Sequence, residues 1–307
     1  MAPPRVALVL LNWNGKQDIL RALASLPRLR YPNWTATVVD NASTDGSVEA
    51  IRERFPAQRV LVMEKNLGFC GGNNRGIEDA LRQGADYVLL LNNDIEVHED
   101  LLDELVATAE TDPGIGAVGA KNLVLDQPEL VWGAYGMVTF RWSFVELHGY
   151  RQPDGAEWSQ VKDVDWVIGN GMMLRREAVE RVGGFDENLF GYHEDVDWCI
   201  RARRAGFRVV YNGRAVVYHR GFGASGPDAK MPFPTMYFLG RNAYLVARKH
   251  GSPAELRGFV VRFLAEIGRQ AGLALVRGDR VKPYLWLLRG FADGLRNRLP
   301  LRELRLQ

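Results

Sequence analysis

The chain has 307 residues, 47% of them hydrophobic and 25% charged, which excludes a collagen, a coiled coil and an intrinsically disordered chain. Its two cysteines, Cys70 and Cys199, are too few for a disulfide scaffold and lack the paired spacing of a zinc ribbon, so a reducing compartment is expected. The formal net charge of +2 hides an asymmetry: residues 241–307 carry 14 Lys+Arg against 5 Asp+Glu, a net +9, and the remainder carries −7. No apolar run approaches the roughly 20 residues of a membrane-spanning helix, and Met1 to Arg5 leads straight into a strand-like run. Neither a span nor a signal peptide is expected.

Four β-rich runs mark the first hundred residues, each ending at or near Asn or Asp. Val6 to Leu11 stops at Asn12, Thr35 to Val39 at Asp40 and Asn41, Val60 to Glu64 near Asn66, and Tyr87 to Leu91 at Asn92, Asn93 and Asp94. Helical spacing fills the gaps, with Leu20, Leu23 and Leu26, then Val48, Ile51 and Phe55, then Ile77, Ala80 and Leu81, which stops near Gly84. A fourth helix follows at Leu101, Leu102, Leu105 and Val106. This βαβαβαβ order, with apolar strands that do not alternate, predicts an α/β fold with a mostly parallel, doubly wound sheet. Ligands bind such sheets beyond the carboxyl ends of the strands, where this chain concentrates its Asn and Asp.

Between Asp126 and Trp166 periodicity fades and aromatics gather: Trp132, Tyr135, Phe140, Trp142, Phe144, Tyr150, Trp158 and Trp166. Some of these rings belong to a core; as a surface, apolar faces with polar tips suit sugars. Short helices are expected over Glu177 to Val182 and Asp195 to Ala205, then strands over Arg208 to Tyr211 and Ala215 to Tyr218, the second ending at His219. Beyond Phe238 the pattern is helical, with Phe259, Val260, Phe263, Leu264 and Ile267 on one stripe and Glu255, Arg262, Glu266 and Arg269 opposite.

Four constellations could carry chemistry. In the first, Asp40 to Ser47, a strand-end carboxylate or amide can pair with a nucleobase edge while the turn meets ribose; helix capping accounts for Ser47 but not for Asp40 and Asn41. The second, NLGFCGGNNRG from Asn66 to Gly76, lacks the G-x-G-x-x-G pattern and the P-loop lysine, and reads as a flexible loop entering a helix. The third, Asn92, Asn93 and Asp94, offers oxygen ligands suited to Mg²⁺ or Mn²⁺ bridging a diphosphate. The fourth is Tyr192, His193, Glu194, Asp195, Val196, Asp197 and Trp198, with His219 beyond; a helix first turn and a satisfied strand-end histidine are the alternatives.

At these residues the chain resembles a family 2 glycosyltransferase of the GT-A fold, in its rhamnosyltransferase-type branch. The markers are NWNG at Asn12, VVDNASTDGS at Val38, NLGFCGGNN at Asn66, LLNND at Leu90, GNGMMLRRE at Gly169, GGFDE at Gly183 and HEDVDWCIR at His193, spread from Val6 to about Ser225. The resemblance implies inverting transfer of a sugar from a nucleoside-diphosphate donor, dTDP- or UDP-linked, to a hydroxyl of a glycan or lipid-linked acceptor. It implies donor binding by Asn12, Asn14, Asp40, Asn41, Ser43, Gly68, Asn74, Asn92 and Asn93, and metal binding by Asp94 and His219. Asp195 is implied as the base, and Trp166, Asn170, Glu194 and Trp198 as shaping the acceptor site. The family's D-x-D motif falls on Asn92 to Asp94, so its first Asp is Asn here; Asp94 is then the direct ligand, Asn92 turns to ribose or phosphate, and metal affinity is weakened.

These expectations divide the chain into a GT-A domain over 1–240, with a nucleotide-binding half (1–120) and an acceptor-binding half (121–240), and a basic amphipathic helical segment over 241–307. That segment either lies on an anionic membrane surface, or packs back or forms a homodimer; a cytoplasmic enzyme, peripheral on the inner face in the first case, is expected, with no nucleic-acid partner. Two other readings compete. One is a catalytically inactive glycan-binding or scaffold protein on the same fold, and the other a sugar nucleotidyltransferase, which would need a Gly- and Arg-rich phosphate loop where this chain has Asn12 to Lys16.

Overall fold

The computed structural model describes residues 2–141, 143–221, 233–278, 281–301 and 304; Trp142 of the aromatic cluster and the end of the motif-bearing stretch at Ser225 lie outside them. The elements β1 (Val6–Asn12), α1 (Lys16–Ser25), β2 (Trp34–Asp40), α2 (Ser47–Arg54), β3 (Arg59–Val62), α3 (Gly68–Arg82) and β4 (Tyr87–Asn92) give the expected alternation. There follow β5 (Ile95–Val97), α4 (Leu101–Ala109), β6 (Ile115–Val124), β7 (Gln127–Gly133), β8 (Gly136–Val138), β9 (Val145–Leu147), β10 (Val161–Asp163) and β11 (Met172–Arg175). The chain continues through α5 (Arg176–Val182), α6 (Glu194–Arg204), β12 (Arg208–His219), α7 (Phe233–His250), α8 (Pro253–Val276) and α9 (Lys282–Leu295).

The main sheet runs β10-β12-β6-β11-β4-β1-β2-β3, with β5 added to β12 and β7 to β6. Strands β3, β2, β1 and β4 are mutually parallel, and so are β6 and β12. Strand β11 runs antiparallel to its neighbours β4 and β6, between which it is inserted, and β10 runs antiparallel to β12 at the edge. Alternate residues of β1 feed opposite cores: Val6, Leu8 and Leu10 pack with Ile19, Leu23, Leu102 and Leu105, whereas Ala7 and Val9 pack with Ile77 and Ala80. Both faces are therefore covered by helices, which is why the strands read as unbroken apolar runs.

The structure departs from the expected elements in places that bear on the site. The runs Arg208 to Tyr211 and Ala215 to Tyr218 are one strand, β12, whose register on β6 shifts between Asn212 and Val216. The glycine-rich stretch is no flexible loop: it is helical from Gly68 onward. A Cβ on Gly72 or Gly76 would collide with Leu11 or Val9 of β1, so these glycines let α3 lie close on the sheet. In α8, Leu264 leaves the expected apolar stripe; Phe259, Phe263 and Ile267 are buried, while Leu264 joins Val261, Leu275 and Val276 on the exposed side. Helix α7 passes through residue 240 unbroken and packs on α9, where Gly240 faces the Leu287 carbonyl and Gly290 the Tyr237 carbonyl.

Candidate active site

Register builds the first wall of the site. Asn12 lies opposite Asp40 across β1 and β2, and Leu11 opposite Asn92 across β1 and β4, so the polar ends of three strands fall side by side. Asn12 Nδ2 donates to Asp40 Oδ2 at 2.9 Å and to Ser43 Oγ at 3.2 Å, while Asn93 Nδ2 donates to Asn12 Oδ1 at 2.8 Å. The Ser43 amide caps Asp40 Oδ1 at 2.8 Å, and Ser43 Oγ accepts the Asn14 amide at 2.9 Å. Asn14, in the left-handed region at φ 51°, accepts the Thr44 amide in return. Asp45 accepts the amides of Lys16 and Ser47 and no side chain caps α2, so the expected cap is instead a tie between two strand-end loops.

Strand β12 brings His219 opposite Val124 of β6 and Ile95 of β5, next to the end of β4. His219 Nε2 lies 3.1 Å from Asp94 Oδ1 and 3.2 Å from Asn92 Nδ2. Burial pushes the Asp94 carboxyl upward, but the His219 charge and hydrogen bond outweigh it and hold the group below the usual range. The Asn92 amide donates to Asn170 Oδ1 at 2.9 Å, and Asn170 Nδ2 donates to Asn122 Oδ1 at 2.6 Å, so a buried amide ladder fixes the β4 end against β6.

The second wall is the turn into α6. Asp195 accepts the Gly169 amide on Oδ2 at 2.9 Å and its neighbour's amide, from Val196, on Oδ1 at 2.8 Å, which orients the carboxylate without a cationic partner. Burial lifts its pKa from 3.8 to about 6 against the pull of those amides. Burial, and then the Asp195 charge, push the adjacent Glu194 well above the ordinary range, and its Oε2 has no hydrogen-bond partner among the described residues. Burial also lowers His193 to about 4, so this imidazole is neutral.

Both walls face one cavity of about 510 Å³, lined on its polar side by Asn92, Asp94, His219, Glu194 and Asp195 and on its apolar side by Trp132, Val145, Leu147, Tyr150, Trp166 and Ile168. The arrangement joins an oxygen- and imidazole-lined strand edge to an oriented, elevated carboxylate across a partly apolar chamber. A carboxylate so placed can accept a proton from a hydroxyl bound in the chamber.

The anticipated residues divide. Asn12, Asn14, Asp40, Ser43 and Asn93 form one hydrogen-bonded cluster and Asn92, Asp94 and His219 an adjacent one, and Trp166, Glu194 and Asp195 join the second around the cavity. Trp198 does not reach it: the ring is fully buried and its Nε1 donates to the Gly183 carbonyl at 2.8 Å, because the inward face of α6 carries it into the core. Asn74 is a bracket, bonding both the amide and the carbonyl of Phe185. Asn41 is likewise consumed by Asn66, Leu67 and Gly68, and Gly68 sits at φ 74° with no room for a Cβ against Phe190. Asn170 supports β4 through the amide ladder. Tyr192 of the fourth constellation lies on the cavity wall; unforeseen were Thr235 and Leu239 there and Arg220, which donates to Asp18 Oδ1 at 2.6 Å while its amide bonds the Asp94 carbonyl. The signal for Arg220 was its place next to His219.

A family model described as glycosyltransferase like family 2 matches residues 3–230. The chain belongs to that family. This family 2 glycosyltransferase is 31% identical over 244 residues to the N-acetylglucosaminyl-diphospho-decaprenol L-rhamnosyltransferase of Mycobacterium tuberculosis, covering 72% of this chain and 78% of the relative. It is 23% identical over 251 residues to the dTDP-rhamnosyl transferase RfbF of Shigella flexneri, covering 80% of each. Among solved structures, the mannosyltransferase PcManGT from Pyrobaculum calidifontis, in complex with GDP-Man and Mn²⁺, matches with a TM-score of 0.59 at 17% identity, over 97% of this chain and 89% of that one. The enzyme has the GT-A fold that its motifs led one to expect.

Proposed function

We propose that this glycosyltransferase is an inverting enzyme that moves a sugar, rhamnose first among the candidates, from a dTDP- or UDP-linked donor to a hydroxyl of a glycan or lipid-linked acceptor. The carrying observation is that Asp94 and His219 at the strand edge and Asp195 at the α6 turn line a single cavity. The names of the rhamnosyltransferase relatives support the choice of sugar. Asn12, Asn14, Asp40, Ser43 and Asn93 form the polar rim for the nucleoside; Asn41, next to Asp40, ties that rim to Gly68, and Asn74 braces Phe185.

Asp195 takes the proton of the acceptor hydroxyl as its oxygen bonds to the anomeric carbon from the face opposite the diphosphate. The bond from that carbon to the diphosphate oxygen breaks, and the pair of electrons leaves with the nucleoside diphosphate. The backbone amides of Gly169 and Val196 aim the carboxylate, and its elevated pKa makes it a competent base near neutrality. Glu194 turns its Oε2, which has no hydrogen-bond partner among the described residues, to an acceptor hydroxyl, and Trp132, Tyr150 and Trp166 offer apolar faces to the sugar ring.

The strand edge fits a divalent cation: the buried Asp94 carboxylate and the His219 Nε2 converge on each other and border the cavity, and a diphosphate would supply the remaining oxygens. Mg²⁺ or Mn²⁺ held by Asp94 and His219 would neutralise charge gathering on the leaving diphosphate. With Mn²⁺ present, nucleoside diphosphate release from a panel of dTDP-L-rhamnose, UDP-glucose and GDP-mannose is expected to favour the dTDP- or UDP-linked sugars. Asp94→Ala is expected to lower that rate by about 100-fold, the scale of losing one charge-stabilising group. An Asp94→Ala enzyme that stays fully active in chelator would remove the metal from the mechanism.

The same reading extends to peripheral attachment at an anionic membrane. The outer face of α8 leaves Val261, Leu275 and Val276 at 67%, 68% and 87% exposure on a segment of net charge +9. No helix among the described residues is long and apolar enough to cross a membrane. Full-length protein is expected to float with phosphatidylglycerol vesicles in low salt, and the triple change of these residues to Glu is expected to abolish flotation. Equal flotation of both proteins refutes attachment through α8; a concentration-dependent dimer lost in the triple variant, with no flotation of either, assigns the face to a second copy.

A further inference from the structure

The turn before α6 holds an unusual backbone. Phe190, Tyr192 and His193, none of them glycine, have φ of 63°, 70° and 67°. Such states persist only where the surroundings over-determine them. The surroundings here are supplied by α7. Asn242, fully buried, places Nδ2 at 2.9 Å from the Leu189 carbonyl, 2.7 Å from that of Gly191 and 2.9 Å from that of Tyr192. Its Oδ1 accepts from Arg241 Nη1 at 2.8 Å, which settles the end of the amide that faces the carbonyls. Arg241, also fully buried, donates to the Asn188 carbonyl at 2.8 Å and the Arg298 carbonyl at 2.6 Å.

Helix α7 touches the other side of the turn as well. Lys249 Nζ and His250 Nε2 lie 2.8 and 2.7 Å from Asp197 Oδ1, and Asp197 sits in the first turn of α6, two residues past Asp195. The backbone that leads to Asp195 and the helix turn that follows it are thus both gripped by one element outside the sheet.

We propose that Asn242 is a positioning residue for the transfer step: its amide holds the left-handed turn at Leu189 to Tyr192 so that Asp195 enters the cavity in working orientation. The assignment rests on the reading of Asp195 as the base. Only a carboxamide meets both demands of the site, because a carboxylate would set oxygen against three carbonyl oxygens and a hydrocarbon would leave those carbonyls and Arg241 without their partner.

The test uses the full-length protein and the Asn242→Asp variant, which keeps side-chain shape. Amide hydrogen exchange over 189–196 is expected to quicken by roughly tenfold or more, while 38–47 and 88–94 keep wild-type protection. The transfer rate constant is expected to fall by roughly tenfold or more while affinity for dTDP or UDP, by calorimetry, stays within roughly twofold. Unchanged exchange at 189–196 overturns the proposal, as does faster exchange with undiminished turnover, or equal loss of nucleotide affinity and turnover. Asn242→Ala gives the same readings should the Asp variant fail to fold; loss of protection across the whole chain in both variants assigns Asn242 to general stability and also overturns it. A wild-type enzyme that transfers no sugar defeats the base assignment instead, a result separable from the exchange data on the turn.

Discussion

Asp195→Asn is expected to lower turnover by about 10²- to 10⁴-fold, the range that general-base catalysis contributes, while nucleotide affinity is retained. The substituted amide has nearly the same shape, so the loss reports the missing proton acceptor. In the wild type the base must be ionised, and burial sets its pKa at about 6, so activity should fall as pH drops through 6. The stability of the fold should show the opposite sign. A carboxyl raised above its unfolded value of 3.8 favours the fold when protonated; that contribution is full below pH 3.8 and lost as pH rises through 6. Above pH 6 burial of the ionised group opposes the fold relative to an uncharged isostere. Asparagine removes that cost and gives back about 1–2 kcal/mol through one lost backbone hydrogen bond. The variant should therefore unfold in urea at neutral pH no earlier than the wild type. Lower stability together with lost nucleotide binding would overturn the assignment of Asp195 as a base.

Gly290→Val is expected to destabilise the protein by about 3 kcal/mol, at the upper end of overpacking costs. In the α7–α9 crossing, a Cβ at Gly290 would overlap the Tyr237 carbonyl, one at Gly240 the Leu287 carbonyl almost as closely, and one at Gly294 would crowd the Arg241 carbonyl less tightly. A branched side chain has no soft neighbour to displace there, only helix backbone, so the helices must separate. Because α7 carries Arg241, Asn242 and His250, separation should also cost activity at a position far in sequence from the base. Urea denaturation measures the first effect and the transfer assay the second. An unchanged midpoint would mean that the two helices do not pack in solution as they do here.

What the sequence disclosed and what it hid follow a physical line. Strand ends are local: Asn12, Asp40 and Asn92 announce themselves because an apolar run stops at each, and parallel pairing then aligns them. The orientation of a helix about its own axis is not local in that sense. Trp198 lies in the same motif as Asp195, yet three residues around the helix carry it into the core. The glycines of α3 read in the sequence as a flexible loop, because the strand they let approach, β1, lies far away along the chain. The motif-bearing Asn41 and Asn74 satisfy backbone groups that come from distant segments, as do Arg241 and Asn242, whose one sequence signal is two polar residues set in the apolar run of α7.

The two walls of the cavity answer to different rules of change. On the strand edge, position follows from register: sliding β1 past β2 by one residue would carry Asn12 about 3.3 Å along and turn it to the other face of the sheet. Insertions within those strands are therefore forbidden, and the edge can evolve only by exchanging one side chain for another. The facing wall draws Trp132, Tyr150 and Trp166 from the segments around β7 to β10, where short strands alternate with irregular chain and a residue gained or lost shifts only its neighbours. One wall of the cavity therefore tolerates changes of chain length that the other does not.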